Sequence, residues 1–160
     1  MRYLIVSDTH GKHRSLREVV EKVGHIDGMF HLGDFEGGLG TIEEMIDCPL
    51  YAVRGNNDFG SYLEDEKIVG VGEHKIFLTH GHRYSLFFGI ERLLDLAYTK
   101  GCDVVLFGHT HMPFLEEQDG IWVANPGSIS LPRQSSRKPT YMIMELDAGG
   151  KLHFTQAQLD

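Results

Sequence analysis

The chain has 160 residues, 41% hydrophobic and 24% charged, a balance that fits one folded domain with a sizeable core and excludes a fibrous repeat, wholesale disorder or a multidomain enzyme. Fifteen Lys and Arg against 23 Asp and Glu leave a formal charge of -8, which opposes the counterion release behind general nucleic-acid binding. Apolar runs such as Tyr3 to Val6 and Val104 to Phe107 span only four residues, against the roughly 20 of a membrane helix; with no secretory apolar segment at the start, a cytoplasmic protein without membrane contact is expected. Residues 1–160 are expected to form one domain. Cys48 and Cys102 are isolated from each other in sequence and read as buried or packing residues without chemistry.

Arg2 to Ser7 reads as a short apolar strand. Ser15 and Glu18 have the spacing of a capping box, opening a helix whose Leu16, Val19, Val20 and Val23 share one face and which Gly24 ends. A second strand, Gly28 to Gly33, leads to another Thr41/Glu44 box and a face of Ile42, Met45 and Ile46, closed before Pro49. With a third strand at Leu50 to Arg54, the first third predicts β-α units and a largely parallel arrangement. Lys67 to Val71 and His74 to Thr79 predict an antiparallel pair around Gly72-Glu73. Ile90, Leu93, Leu94 and Ala97 recur at helical spacing up to Gly101, and the strand Val104 to Phe107 follows. Hairpins are expected around Asp119-Gly120, between Pro113 to Gln118 and Ile121 to Ala124, and around Asp147 to Gly150, between Tyr141 to Leu146 and Lys151 to Gln156. The fold class is therefore α/β with mixed sheets, and Pro132 to Pro139 is the long exposed loop.

Nearly every strand of this series ends in a metal-ligating residue type beside a glycine: Asp8 and His10, Asp34, Asn56, His80, then His109 and His111. Strand ends along one edge of an α/β sheet converge where crevices open. One Asp or His after a strand is ordinarily a turn residue; seven in succession have no common structural cause. Carboxylate and imidazole in this ratio suit Mn, Fe, Co, Ni or Zn, and seven ligands exceed a single tetrahedral site but fit two ions that share a carboxylate. The chain offers no Gly-x-Ser-x-Gly elbow and no Walker loop.

Asp8-Thr9-His10, Gly33-Asp34, Gly55-Asn56, His80-Gly81-His82 and Gly108-His109-Thr110-His111, taken in order, resemble the signature of the calcineurin-like metallophosphoesterase superfamily, and Asn125-Pro126-Gly127-Ser128 resembles its small bacterial and archaeal phosphodiesterase branch. The resemblance implies two mixed β-sheets packed as a sandwich flanked by helices, and two divalent ions, Mn being the first choice with Fe, Ni, Co or Zn as alternatives. It places one ion on Asp8, His10, Asp34 and His111 and the other on Asp34, Asn56, His80 and His109, with Asp34 bridging. It implies a phosphodiesterase in which a hydroxide shared by the ions attacks phosphorus in line. Where many relatives carry a general-acid His, this chain has Asn57, which has no titrating proton; Asn57 as a hydrogen-bond donor and His82 in proton transfer are the catalytic expectations. Arg54, Arg83 and Arg133 are candidate phosphate-binding cations, and His13, His25, His31, His74 and His153 read as ordinary surface or strand residues. Phe87 and Phe88 are expected in helix packing or an oligomer contact, so a homo-oligomer is an expectation. The expected partner is a small phosphate ester. A retromer-subunit-like interaction scaffold and a nuclease are the alternatives.

Overall fold

The computed structural model describes residues 1–160. In chain order the elements are β1 (Arg2–Val6), α1 (Arg14–Val23), β2 (Gly28–His31), α2 (Leu39–Glu43), β3 (Leu50–Ala52), β4 (Glu66–Val71), β5 (His74–Thr79), α3 (Glu91–Lys100), β6 (Val104–Leu106), β7 (Pro113–Gln118), β8 (Ile121–Pro126), β9 (Thr140–Leu146) and β10 (Leu152–Gln158). They build two five-stranded sheets, ordered β10-β9-β1-β2-β3 and β4-β5-β6-β8-β7. The expected β-α series gives the parallel trio β1, β2 and β3, while β9, β10, β4 and β7 join antiparallel.

The two-residue side-chain period of a strand sorts the core into layers. Tyr3 and Ile5 of β1 point into an apolar slab between the sheets, with Phe30, Ile76, Leu78, Val104 and Leu106. Leu4 and Val6 point the other way, onto Leu16 and Val19 of α1 and Ile42 of α2. On the far side, Phe77, Val105 and Val123 meet Leu93 and Ala97 of α3. The order helix, sheet, sheet, helix is the sandwich expected from the resemblance. Each fully buried Leu or Val contributes about 1.5–3 kcal/mol, and no helix is long and apolar enough to cross a membrane.

Three local expectations fail for identifiable reasons. Neither capping box forms: the N-caps are His13 and Gly38, without side-chain caps. The His13 carbonyl already accepts the Arg17 N–H at 2.9 Å, so the chain is helical from Arg14 and Ser15 falls inside the first turn; Thr41 likewise lies inside α2. Met45 and Ile46 follow the end of α2 in a turn and are only partly buried. Phe87 and Phe88 do not pack in a helix: left-handed Ser85 and Gly89 at φ 116° bracket a one-turn 3-10 segment, Leu86–Phe88, that leaves the two rings 99% and 88% exposed.

Candidate metal centre

The parallel strands β1, β2 and β3, and β5 with β6, deliver their carboxyl ends to one edge of the sandwich. Asp8 and His10 follow β1, Asp34 follows β2, His80 follows β5, and His109 and His111 follow β6. The Gly33 carbonyl accepts the Asp8 N–H at 3.0 Å and the Asp34 carbonyl accepts the His10 N–H at 2.8 Å, stitching the first two loops together. Asp8, His10, Asp34, His109 and His111 all have left-handed backbones, with φ between 46° and 68°. That conformation costs an L-residue roughly 1–2 kcal/mol, and its concentration in one crevice is the pattern of a functional site. Gly33, at φ 98°, shows how tight the crevice is: a Cβ there would stand 2.7 Å from the Gly55 nitrogen and 2.8 Å from His80 Nδ1.

Five of the seven expected ligands converge directly. Ligand atoms of Asp8, His10 and His111 lie within 4.8 Å of one another, as do those of Asp8, Asp34 and His80. Asp34 Oδ2 is 3.8 Å from His10 Nε2 and 3.4 Å from His80 Nε2. His109 adjoins the cluster, its ring 5.2 Å from that of His80 and its N–H donating to Asp8 Oδ2 at 3.1 Å. Asn56 is exposed on the rim, whereas its neighbour Asn57 is the residue on Asp34, donating from its backbone N at 2.9 Å to Oδ1 and from Nδ2 at 2.8 Å to Oδ2.

Hydrogen bonding outside the cluster fixes which atoms face inward. His10 Nδ1 meets Glu36 Oε1 at 2.8 Å, His80 Nδ1 the Leu32 carbonyl at 2.6 Å, and His111 Nδ1 the Leu131 carbonyl at 2.7 Å. Those oxygens accept, so each Nδ1 carries the proton, and in the neutral ring each Nε2 presents a lone pair to the centre. Asp8 is equally asymmetric: Oδ2 accepts from Ser7 Oγ at 2.6 Å and from the His109 N–H, while Oδ1 faces the centre. Asp8 Oδ1 and His80 Nε2 are buried without any hydrogen-bond partner, although His111 Nε2 approaches that oxygen to 3.1 Å. Buried polar atoms without partners are costly, and a set composed of acceptors is satisfied by a cation. The residues present therefore fit divalent metal, as the borderline N/O donor set requires.

The electrostatics agree. Burial by itself would raise Asp8, but His10, His111 and His80 outweigh it and hold the carboxyl far below the usual range. Burial likewise opposes ionisation of Asp34, and His80 with Asn57 brings it down to about 2. Asp8 in turn pushes His10 up to about 9, so in the metal-free cluster that ring is cationic and its Nε2 holds a proton that a bound ion would displace. The cluster thus attracts positive charge.

Residues that the sequence left unassigned hold this arrangement in place. Asp58 is 4% exposed and accepts the N–H groups of Asp34 at 2.7 Å, Glu36 at 2.8 Å and Gly55 at 2.8 Å. Its place after Gly55-Asn56-Asn57, in a turn, was the available signal. His31, the last residue of β2, is fully buried: Nδ1 accepts the Gly33 N–H at 3.2 Å, so Nε2 is left to donate to Thr9 Oγ1 at 3.1 Å. Burial takes its pKa down to about 4, keeping it neutral. Ser128 Oγ donates to the Asp8 carbonyl at 2.8 Å, Ser130 Oγ to the Thr9 carbonyl at 2.7 Å, and Asn125 Nδ2 to the Gly108 carbonyl at 2.9 Å. The Asn125-to-Ser128 segment is thus a brace for the left-handed loops. Of the three candidate phosphate cations, Arg54 and Arg83 are engaged by Asp65 at 2.9 and 2.8 Å, and Arg133 has no acidic partner. His82 stands beside the cluster, 5.5 Å from the His80 ring, with Nδ1 buried and unpartnered.

Comparison with known proteins agrees with the fold and the crevice. The family model for the calcineurin-like phosphoesterase superfamily domain matches residues 1–149. A probable metallophosphoesterase of Bacillus subtilis is 36% identical over 92% of this chain and 85% of its own. A phosphodiesterase of Methanocaldococcus jannaschii is 33% identical over 79% of this chain and 83% of its own. Among solved structures, a predicted phosphoesterase from Streptococcus pneumoniae superposes with TM-score 0.80 at 28% identity, covering 99% of this chain and 97% of that one. A Vps29 of Entamoeba histolytica has TM-score 0.79 at 22% identity over the full length of both chains, a likeness of fold alone. The chain belongs to the calcineurin-like phosphoesterase superfamily and is a metal-dependent phosphoesterase.

Proposed function

We propose that this protein, residues 1–160 acting as one domain, is a dinuclear-metal phosphodiesterase. The observation that carries the reading is the inward set of Asp8, Asp34, His10, His80 and His111, with Asp8 Oδ1 and His80 Nε2 buried and unpartnered. Asp8, His10, Asp34 and His111 would hold one divalent ion, and Asp34, His80, His109 and Asn56 the other, with Mn preferred among Mn, Fe, Ni, Co and Zn. The placement of Asp34 Oδ2 between His10 Nε2 and His80 Nε2, at 3.8 and 3.4 Å, supports its role as the shared ligand. When bound, such a pair acidifies water to a nucleophile and neutralises charge on the phosphoryl oxygens.

The protein's own groups set orientation. Asn57 grips both oxygens of Asp34 and thereby fixes the face that Asp34 turns to the centre. It positions a ligand and supplies no proton. Burial, followed by the charges of His80 and Arg83, holds His82 below the ordinary histidine pKa; it meets substrate as a neutral imidazole and serves as a hydrogen-bond donor to an ester oxygen. Without a stronger acid the site favours esters with good leaving groups.

The test is hydrolysis of bis(4-nitrophenyl) phosphate by metal-stripped protein reloaded with Mn. Turnover that appears with Mn and disappears with chelator is expected; bound metal without turnover on any divalent ion would overturn the reading. The exposed Phe87 and Phe88 favour the scaffold alternative, and that outcome would revive it. A charge of -8 weighs against a nuclease.

A further inference from the structure

A cleft of about 550 Å³ opens beside the candidate metal centre. Leu86, Phe87, Ile90, Phe107, Met112 and Phe114 form its apolar wall, and polar side chains contribute to the rest. Phe107 and Phe114 sit with ring centroids 6.1 Å apart, and of the two Phe114 is the one only partly buried. Leu86 closes over the His80 loop: a Cβ on Gly81 would come within 2.8 Å of its Cδ1.

Two features join this cleft to the centre. His82 and His109 line it and stand with their rings 5.5 and 5.2 Å from that of His80. Arg133 lines it as well, and its backbone N–H donates to the His111 carbonyl at 3.0 Å, tying this cation to the ligand loop. No carboxylate neutralises Arg133, so an anion held between it and the centre would be complemented by charge. An ester group on that anion would have this cleft beside it. The size lies within the roughly 300–1,000 Å³ of small-molecule sites.

We infer that the cleft is a substrate subsite that receives an aromatic ester group of a phosphodiester, seated on Leu86, Met112 and Phe114 while Arg133 faces the phosphate. The inference rests on the phosphodiesterase reading and narrows it to substrates bearing a ring. A nucleobase and a simple aryl group share this chemistry.

Calorimetry on the Mn-loaded protein, with diphenyl phosphate and dimethyl phosphate as probes, tests it. Burying one ring favours diphenyl phosphate by about tenfold to a hundredfold in Kd. Leu86→Asn and Met112→Asn should each erode that preference and leave dimethyl phosphate within about twofold; Met112 is 51% exposed, so its variant keeps the test independent of folding. Equal Kd values in the unaltered protein, or a preference that survives both substitutions, would overturn the subsite. So would a loss of self-association in the two variants without loss of preference, which would make the cleft a contact between copies. Metal content measured on the same samples separates the two ideas: two bound Mn with equal Kd values sinks the subsite alone, and no bound Mn sinks the metal centre beneath it. A nucleoside 5′-methyl phosphate, measured beside diphenyl phosphate, tells a nucleobase from a plain ring.

Discussion

Strand β5 begins at one histidine, His74, and is followed directly by another, His80, and the two behave differently. At its start, His74 Nδ1 engages Asp103 and Nε2 meets the Gly150 carbonyl at 2.8 Å, while the other Asp103 oxygen accepts the Lys75 N–H at 2.8 Å. Every polar atom there has a partner, and the pair pins β5 to the loop before β6 and to the β9-β10 turn. Just past its end, His80 donates from Nδ1 to the Leu32 carbonyl, and its Nε2 reaches a cluster of acceptors with nothing to accept from. The residue types match at both ends. Satisfaction distinguishes them: a closed hydrogen-bond set is structural, and a convergent unsatisfied one calls for a cation.

The largest effect expected from breaking this contrast is at the unsatisfied end. Asp34→Asn keeps the side-chain shape but removes the charge shared by both halves of the cluster. Loss of the several kcal/mol that bound metal contributes to a phosphoryl transition state corresponds to about a thousandfold or more in kcat. Metal content should fall in parallel, with the circular dichroism spectrum unchanged. Asp58→Ala comes next, because it strips the acceptor from three backbone N–H groups, two of them buried. A loss of about 3 kcal/mol in chemical denaturation is expected; a loss below about 1 kcal/mol would show that the clasp is idle.

Glu36→Ala sharpens the contrast by removing the acceptor that orients His10. Its carboxylate is 41% exposed, so stability should hold while apparent metal affinity falls about tenfold. The smallest effect belongs to the satisfied end. Burial disfavours the His74 cation, but the Gly150 carbonyl and Asp103 outweigh it and raise its pKa above the ordinary value. A histidine raised by folding stabilises below its unfolded pKa and loses that contribution as pH climbs through the raised one. His74→Gln should therefore lower the unfolding free energy at pH 6 by about 0.2–1 kcal/mol at most for so exposed a pair, and converge on the unaltered protein at pH 9.

What the sequence revealed follows from the same division. Strand-end positions were legible because β-α alternation, glycine punctuation and ligand residue types coincide along the chain, which located Asp8, His10, Asp34, His80, His109 and His111 in one crevice. Apolar strand runs and helical spacing made the α/β class with mixed sheets readable, whereas the two-sheet sandwich came from the family resemblance. Asp58 and His31 were missed because most of their partners lie in other loops: beyond its local bond to Gly55, Asp58 serves backbone groups 22 to 24 positions away, and His31 joins the Thr9 hydroxyl across 22 positions. Spacing rules for turns and strands do not reach that far. The adjacent Asn56 and Asn57 look alike in sequence, and only tertiary packing puts Asn57 on Asp34 and Asn56 on the rim. The capping boxes failed because α1 and α2 start earlier than their spacing implied, which puts Ser15 and Thr41 inside the helices.

The most direct measurement of the central claim is a metal count: purified, chelator-stripped protein titrated with Mn and assayed by elemental analysis, beside the Asp8→Asn variant. Two ions per chain in the unaltered protein, lost in the variant together with diester hydrolysis, is the expected result. Full hydrolysis with one ion or none per chain, or an Asp8→Asn protein that binds and turns over normally, would contradict the account.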